Sequence, residues 1–313
     1  MDTFSVGGTR VTKVAELSLD GFTAGQLLPG LDPHAYDHHP EWFPPGTYDA
    51  RSGHVPLSVH TWLVRHEGLT ILIDTGAGND KSRPTLMVLD QLRNPYLERL
   101  AAAGVRPEDV DYVLLTHIHA DHVGWNTQLD DGRWMPTFPR AVTICSGLEW
   151  RHAAALAAGD EVSVEVIRTG AGLGEPVRPP APGVFDDSMR PLEAMGRVRL
   201  IEFDDHDVLP GVRFLRAPGH SIDHAAIEIR SNGAVGLFGG DVVHHPVEIY
   251  RPDLVSMFCE FPDAVRRSRL KILEHAVATK AVFFSSHFPL SSAGYVNHVN
   301  QAYEWSFAAT GAD

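Results

Sequence analysis

The chain has 313 residues, with 43% hydrophobic and 21% charged side chains, which is ample for burying a core. Its 40 acidic residues outnumber its 26 basic ones, and the net charge of −14 argues against a nucleic-acid partner, because phosphate binding requires clustered Lys and Arg. No apolar run is long enough to span a membrane, the first residues lack the layout of a signal peptide, and two cysteines cannot form a disulfide framework. We therefore expect a cytoplasmic protein with no membrane or nucleic-acid partner.

The first part of the chain combines strands with one irregular segment. Residues 9–19 have the pattern of a strand, and two β-branched runs within 56–78, joined at Glu67-Gly68, predict a hairpin. Between them, residues 27–46 are rich in proline, histidine and aromatic residues, which excludes a regular helix. We expect this segment to form an arm that lies over the surface of this chain or of a partner subunit.

The remaining elements alternate between strands and helices. Helical spacing predicts a helix over 85–104, split or kinked at Pro95, whereas residues 158–196 show no clear period and indicate an insertion or a flexible crossing. Further strands are expected near residues 109–119, 141–145, 197–203, 212–217, 223–231, 234–239 and 281–287, and further helices near 146–157 and 262–278. Together these elements predict a layered α/β domain with its site at one edge of the sheets.

The segment THIHADHVGW (116–125) places three histidines and an aspartate within ten positions. His117 and His119 lie two residues apart at the end of an extended segment, so both can face one cation. Asp121 and His122 follow where the chain turns and can meet a second cation. Because a single zinc ion needs only three protein ligands besides water, four candidates in one segment favour two ions.

Three further candidates each follow a predicted strand: His220 in RAPGHS, Asp241 in LFGGD and His287 in FFSSH. Asp241 can bridge two cations, because divalent ions about 3.5–4 Å apart repel each other unless anions lie between them. Such ions lower the pKa of bound water towards about 7 and make a bridging hydroxide available as a nucleophile. We assign His117, His119 and His220 to one ion and Asp121, His122 and His287 to the other.

These motifs resemble those of the metallo-β-lactamase-fold hydrolases. THIHADHVG resembles the family's signature, LIDTG (72–76) its upstream strand, APGHS its third-histidine turn, GGD its bridging aspartate and the final SSH its last ligand. The resemblance carries the ligand roles onto the seven residues above and implies that Asp74 accepts a hydrogen bond from a ligating histidine. It also implies a four-layer αββα sandwich in a single domain, with an N-terminal strand and arm in 1–55, a core in 56–290 and a tail in 291–313.

Several features narrow the choice within the family. Asp241 departs from β-lactamases of the cysteine type, and His119 departs from the glutamate of oxygen-reducing diiron members. The 26 residues after His287 are too few for the helical region of glyoxalase II enzymes, and RNA-processing members fit poorly with a net charge of −14. The chain resembles the branch of N-acyl-homoserine lactonases and methyl parathion hydrolase-like esterases, in which a long N-terminal arm often helps to form a homodimer.

The resemblance implies a dinuclear metal-dependent hydrolase that opens lactone rings by attack of the bridging hydroxide, on a substrate like an acyl-homoserine lactone. An arylesterase or phosphotriesterase is the alternative in the same chemistry. A non-catalytic ligand sensor and an iron-dependent redox enzyme are the alternatives from other classes. Zinc is the expected metal, although manganese, cobalt or iron suits the same ligands.

The remaining site predictions concern proton transfer and substrate binding. We expect Asp121 or His244 to handle the proton; His244 stands three residues after Asp241, where some lactonases carry a tyrosine, and is followed by His245. An apolar pocket would suit a hydrophobic ester or lactone. The aromatic candidates for this pocket are Trp125, Phe288, Trp42 and Phe43.

Overall fold

The fold was analysed in a computed structural model, which describes residues 1–204 and 206–310. In chain order the strands are β1 (Thr3–Val6), β2 (Thr9–Leu19), β3 (Leu57–His66), β4 (Leu69–Ile73), β5 (Tyr112–Leu114), β6 (Thr127–Asp130), β7 (Arg133–Pro136), β8 (Val142–Ser146), β9 (Val198–Ile201), β10 (Val212–Arg216), β11 (Ala225–Ser231), β12 (Ala234–Gly240), β13 (Val282–Ser285), β14 (Ala293–Val299) and β15 (Ala302–Phe307). The α-helices are α1 (Ala24–Leu27), α2 (Ala35–His38), α3 (Tyr96–Ala102), α4 (Gly147–Ala158), α5 (Glu161–Ala171), α6 (Val184–Ser188), α7 (Arg190–Ala194), α8 (Val247–Tyr250) and α9 (Pro262–Thr279).

Two large sheets dominate the described part of the chain. The first has the strand order β1-β2-β3-β4-β5-β8-β9 and the second runs from β10 to β15 in sequence order, while β6 and β7 form a separate hairpin. Strands β4, β5, β8 and β9 are parallel to one another, as are β12 and β13. The hairpin of β3 and β4 turns at Glu67 and Gly68, both with positive φ, which matches the twist of the flanking strands and confirms the predicted hairpin.

The sheets pack face to face, and each carries helices on its outer face. Alternate residues of β3 point to opposite faces of the first sheet. Trp62 lies between the sheets with Phe238 and Phe284, whereas Leu63 lies in an apolar cluster on the outer face. That outer cluster covers the first sheet with apolar residues around α3, α4 and α6, and a third cluster joins the second sheet to α9. The arrangement of helix, sheet, sheet and helix confirms the predicted αββα sandwich.

The sequence predicted most strands but not every helix. An observed strand overlaps each predicted one, although the strand expected over 109–119 shortens to β5. The helix predicted over 85–104 is wrong in its first half: residues 87–89 form a 3-10 turn, and α3 begins directly after Pro95. The segment 79–91 is held by polar contacts instead, because Lys81 donates to Thr127 and the guanidinium of Arg83 pairs with both oxygens of Asp187.

Two segments that were expected to be irregular contain regular structure. Residues 158–196 include α5, α6 and α7, and the predicted tail includes β14 and β15, which extend the second sheet beyond β13. The predicted arm, 27–46, contains the four-residue helix α2 and packs on this chain through a cluster that includes Leu27, Phe43 and Leu254. Among the described residues, no helix combines the length and the apolar character needed to cross a membrane.

Candidate metal centre

The seven predicted ligands follow strands whose carboxyl ends meet at one edge of the two sheets. Four of them come after β5, and the others come after β10, β12 and β13. These strands are parallel within their sheets, so their ends bring side chains from distant parts of the sequence to one place. Five of the seven residues are at least nine-tenths buried, whereas His119 and Asp121 are half-buried: the buried five are His117, His122, His220, Asp241 and His287.

The first predicted group converges as expected. His117, His119 and His220 each offer a nitrogen within 4.8 Å of the others. In the tightest pair, Nδ1 of His119 lies 2.8 Å from Nε2 of His220. The geometry therefore permits one cation to bind all three imidazoles.

The second group converges beside it. Asp121, His122 and His287 also offer atoms within 4.8 Å of one another. Asp241 stands between the groups: its Oδ2 lies 3.2 Å from Nε2 of His220 and 3.0 Å from Nε2 of His287, while its Oδ1 lies 3.3 Å from Nε2 of His122. One carboxylate thus faces ligands of both groups, which is the position that a bridging group requires.

Several atoms that face this centre are left without partners. Nε2 of His117, Nε2 of His122 and Oδ1 of Asp241 are buried and form no well-aligned hydrogen bond among the described residues, although the last two atoms lie 3.3 Å apart. Buried polar atoms are normally paired, so three unpaired atoms that face one point are suited to bind a cation there. Nitrogen and carboxylate oxygen donors in this number suit two divalent cations of the zinc type, and the residues therefore fit the predicted metal pair.

Without a bound cation, burial and neighbouring charges shift the pKa values of the candidate ligands. Burial holds the pKa of His117 and His220 well below the usual range, with nearby histidines adding to the effect on His117. Burial also acts on His122, but the carboxylates of Asp241 and Asp121 outweigh it and raise its pKa well above normal. Burial would raise the pKa of Asp241, and the surrounding histidines instead hold it well below normal.

Asp74 supports two of the histidines, as the sequence predicted. It lies in the left-handed region at the end of β4, with φ of 53°. Its Oδ2 accepts hydrogen bonds from Nδ1 of His122 and Oγ1 of Thr116, both at 2.8 Å, and its Oδ1 accepts from the Thr116 amide at 2.9 Å. The Thr116 hydroxyl also lies 3.0 Å from Nδ1 of His117. These contacts leave Nε2 of both histidines facing the centre.

Sequence reasoning missed His224, which positions Asp241. Nδ1 of this buried histidine lies 3.2 Å from the Ala217 carbonyl oxygen, and its Nε2 accepts a hydrogen bond from the Asp241 amide at 2.9 Å. Burial lowers the pKa of His224 to about 3, which keeps the ring neutral. A Cβ at Gly240 would lie 2.3 Å from Nε2 of His224, and φ there is 54°, so glycine is required beside the bridging aspartate.

His244 and His245 face different surroundings. Nε2 of His244 lies 3.3 Å from Oδ2 of Asp241 and the residue lines the cleft over the centre, so the predicted proton-handling residue is within reach of it. Burial opposes protonation of His244, but Asp241 and Glu248 outweigh it and raise its pKa to about 9. Nε2 of His245 lies 2.9 Å from the Thr47 carbonyl oxygen, away from the centre.

An open cleft leads to the centre. Its walls are mainly apolar and come from the N-terminal segment, the loop before α3, the segment before α6 and the loop before α9. Phe22 and Phe258 form an edge-to-face pair on one wall, with ring centroids 5.4 Å apart. Other residues that line the cleft are Leu19, Leu57, Leu86, Val88, Leu89, Arg178, Pro179, Pro180 and Ala181.

The four aromatic residues predicted for the pocket lie elsewhere. Trp125 is buried, stacks on Tyr96 and donates Nε1 to the buried carboxylate of Glu16 at 2.8 Å. Phe288 is buried against Trp305 on the outer side of the second sheet, because its side chain points away from that of the preceding ligand. Trp42 stacks on His39 and Phe43 packs in the arm cluster. The structure therefore corrects this prediction, since none of the four is among the residues that line the cleft.

A sequence profile of the metallo-beta-lactamase superfamily matches residues 54–287. The chain therefore belongs to the metallo-beta-lactamase superfamily, and the predicted family resemblance is confirmed. Among curated proteins, a probable metallo-hydrolase of Mycobacterium bovis is 26% identical over 200 residues, covering 61% of this chain and 58% of that protein. The hydroxyacylglutathione hydrolase of Aeromonas hydrophila is 37% identical over 70 residues, covering 22% of this chain and 20% of that protein. Both alignments span less than two thirds of the curated relative.

Solved structures share the fold over nearly the whole chain. The hydrolase AbOPH of the beta-lactamase superfamily aligns with a TM-score of 0.75 at 22% identity, covering 99% of this chain and 98% of that one. AidC, a dizinc quorum-quenching lactonase in complex with a homoserine product, aligns with a TM-score of 0.73 at 19% identity and the same coverage. Because the sequence identities are 22% and 19%, these alignments establish that the fold is shared and nothing more.

Proposed function

We propose that this protein is a dinuclear metal-dependent hydrolase that opens lactone rings. The observation that carries the proposal is the convergence of seven histidine and aspartate side chains, with unpaired buried atoms, at the floor of an apolar cleft. The dizinc lactonase AidC, which has the same fold, supports the substrate class. Zinc is the proposed metal because histidine nitrogen and carboxylate oxygen dominate the donor set.

Divalent ions held by these residues would supply a hydroxide nucleophile at neutral pH and stabilise the oxyanion that develops at the carbonyl. Other side chains of the protein orient the candidate ligands and the proton donor. Asp74 and Thr116 fix the rings of His122 and His117, and Asp241 faces both ligand groups. Nε2 of His244 points to the same side and is placed to donate a proton to the leaving oxygen, with Asp121 as the other candidate for this step.

The cleft suits a substrate with one polar and one apolar end. Asp121, His220 and Asp241 lie at its metal-binding floor, and leucine, proline and phenylalanine side chains form its walls. A lactone carbonyl at the floor would leave an acyl chain against those walls, where burial of each methylene contributes about 0.8 kcal/mol. The predicted homodimer and cytoplasmic location stay predictions.

A substrate panel tests the proposal against its alternative. Zinc-loaded protein should open acyl-homoserine lactones with a higher kcat/KM than it shows for aryl acetates or for paraoxon-like phosphotriesters. The phenylalanine pair Phe22 and Phe258 gives the arylesterase alternative a specific basis, because an aryl leaving group would stack there. A higher kcat/KM for aryl esters than for lactones would favour that alternative.

A further inference from the structure

Cys259 lies beside the candidate metal centre but belongs to neither of its two ligand groups. The residue is buried, and its Sγ lies 3.7 Å from Nδ1 of His220. Nε2 of the same ring lies 3.2 Å from Oδ2 of Asp241 and 2.8 Å from Nδ1 of His119. The two nitrogens of His220 therefore face different neighbours: one faces the candidate metal pair and the other faces the thiol.

His244 offers a third donor atom at the same place. One of its ring nitrogens lies within 4.8 Å of donor atoms of both Cys259 and His220. His244 is only 1% exposed, and neither of its nitrogens forms a well-aligned hydrogen bond within the described residues, although Nε2 lies 3.3 Å from Oδ2 of Asp241 and Nδ1 lies 3.6 Å from Oε2 of Glu248. Because buried polar atoms are normally paired, this imidazole is suited to bind a cation.

The spacing and chemistry of these donors fit a zinc-like ion. Bond lengths of about 2.3 Å to sulfur and about 2.0–2.1 Å to nitrogen separate the two ligand atoms of a tetrahedral zinc ion by about 3.6 Å. The distance of 3.7 Å between Sγ of Cys259 and Nδ1 of His220 is close to that separation. Thiolate and imidazole ligands together favour zinc and similar thiophilic cations over magnesium or calcium. Both His220 and His244 line the cleft, which gives a cation a path to the site.

We propose that Cys259, His244 and Nδ1 of His220 form a binding site for a third divalent cation of the thiophilic, zinc-like type, and that this cation inhibits the enzyme. The ion displaces the proton of the thiol, as metals do from coordinating thiols, and the proton on Nδ1, and both protons pass to the solvent. His220 then contacts one ion through each ring nitrogen. The inhibition rests on the proposed function, because the ion occupies the nitrogen from which His244 would donate its proton.

Absorbance during a titration with Co²⁺ reports the thiolate directly. Protein that already holds two Zn²⁺ ions per chain receives increasing Co²⁺, and a thiolate ligand gives Co²⁺ a charge-transfer band at longer wavelength than tryptophan absorption, whereas nitrogen and oxygen ligands give none. Equilibrium dialysis with elemental analysis counts the bound ions. The chain has two cysteines, so Cys259→Ser is compared with Cys145→Ser. Cys145 is the matched control, because it is buried in the outer cluster of the first sheet.

The wild type and Cys145→Ser should bind one ion beyond the first two and should show the band. Cys259→Ser should lose the band and the third ion, and His244→Phe should bind that ion at least tenfold more weakly. Excess Zn²⁺ should reduce kcat for lactone opening at least about tenfold in the wild type, since it blocks the proton donor, and should inhibit Cys259→Ser much less relative to that variant's own rate. Should the serine variant not fold, Cys259→Ala replaces it.

The absence of a thiolate band in the wild type at excess Co²⁺, or the same band in Cys259→Ser, would overturn the site. A band that saturates with the first two ions would place Cys259 in the metal pair and would equally overturn a third site. Lactone opening that is insensitive to excess Zn²⁺ would overturn the inhibition. If the wild type opened no lactone, the proposed function would fail, and the Co²⁺ spectrum and the ion count would still decide whether the site exists.

Discussion

Oδ2 of Asp74 lies 2.8 Å from Nδ1 of His122, and this contact determines which nitrogen of the histidine faces the candidate metal centre. Asp74 is not one of the seven candidate ligands, yet its oxygens also accept both hydrogen bonds from Thr116. One carboxylate at the end of β4 therefore orients the segment that follows β5. The orientation of the ligands depends on residues from a neighbouring strand as much as on the ligands' own loop.

Replacement of Asp74 by asparagine should weaken metal binding. The amide NH2 cannot accept a hydrogen bond, so either His122 or Thr116 loses its acceptor, and we expect a fall of about 10–100-fold in affinity for Zn²⁺. Competition with a chelator measures this affinity. Asp111→Asn is the matched control, because Asp111 accepts from the Thr70 amide at the opposite end of β4. Equal affinities in the two variants would contradict the assignment.

His244→Phe should reduce turnover of the metal-loaded enzyme at least tenfold. Phenylalanine keeps an aromatic ring in the cleft wall but removes the nitrogen that faces Asp241. The measurement is kcat for lactone opening, normalised to bound metal. His275→Phe on α9 serves as the control, because His275 contacts Glu228 and does not line the cleft. Full turnover in the His244 variant would remove this residue from the mechanism.

Trp125 and Phe258 should respond differently to substitution. Trp125→Phe removes the hydrogen bond to Glu16 and should lower the free energy of unfolding by about 1–3 kcal/mol without altering substrate preference. Phe258→Ala removes an apolar cleft wall and should reduce kcat/KM for a long-chain lactone about tenfold more than for a short-chain one. Urea unfolding measures the stability of both variants, and a series of lactones of increasing chain length measures their substrate preference. A change of chain-length preference in Trp125→Phe would show that Trp125 contacts the substrate after all.

The titration of Lys13 should make the free energy of unfolding depend on pH in the alkaline range. Lys13 is only 8% exposed, and its ammonium group donates to the Leu290 carbonyl and the Ser292 hydroxyl. Burial lowers the pKa of Lys13 to about 8, with Asp2 partly opposing the shift. In the unfolded chain the pKa is about 10.4, so between these values the unfolded state binds more protons and the unfolding free energy rises with pH.

The comparison with Lys13→Met measures this effect. Between pH 7 and pH 10 the wild type should gain stability relative to the variant, by at most about 3 kcal/mol. Denaturant unfolding at several pH values gives the difference between the two proteins, in which the titration of other groups cancels. A difference that does not change with pH would show that Lys13 titrates alike in both states.

The convergence of the seven candidate ligands could be predicted because each of them follows a strand in a local motif. His117 to His122 occupy one short segment, and the turns before His220 and Asp241 contain glycine, as the close approach of Gly240 to His224 requires. Strand periodicity and these turns are local properties. They could be recognised without knowledge of the tertiary contacts.

The supporting residues and the cleft could not be predicted in the same way. Glu16, Glu260 and His224 contact the site's loops from distant parts of the sequence and stand in no local pattern. The aromatic candidates were chosen for nearness in sequence to the ligands, but Trp125 and Phe288 turn into the core because adjacent side chains point in different directions. Only the first half of the helix predicted over 85–104 was wrong, because the buried ion pair of Arg83 with Asp187 holds that loop instead.

Metal stoichiometry, combined with activity before and after chelation, tests the central claim most directly. Elemental analysis of purified protein should find two divalent ions per chain. Lactone opening should disappear when a chelator removes the ions and return when Zn²⁺ is added back. The reason is that the bound ions would supply the hydroxide nucleophile and stabilise the oxyanion. Protein without stoichiometric metal, or protein that stays fully active after the metal has been removed, would contradict the account.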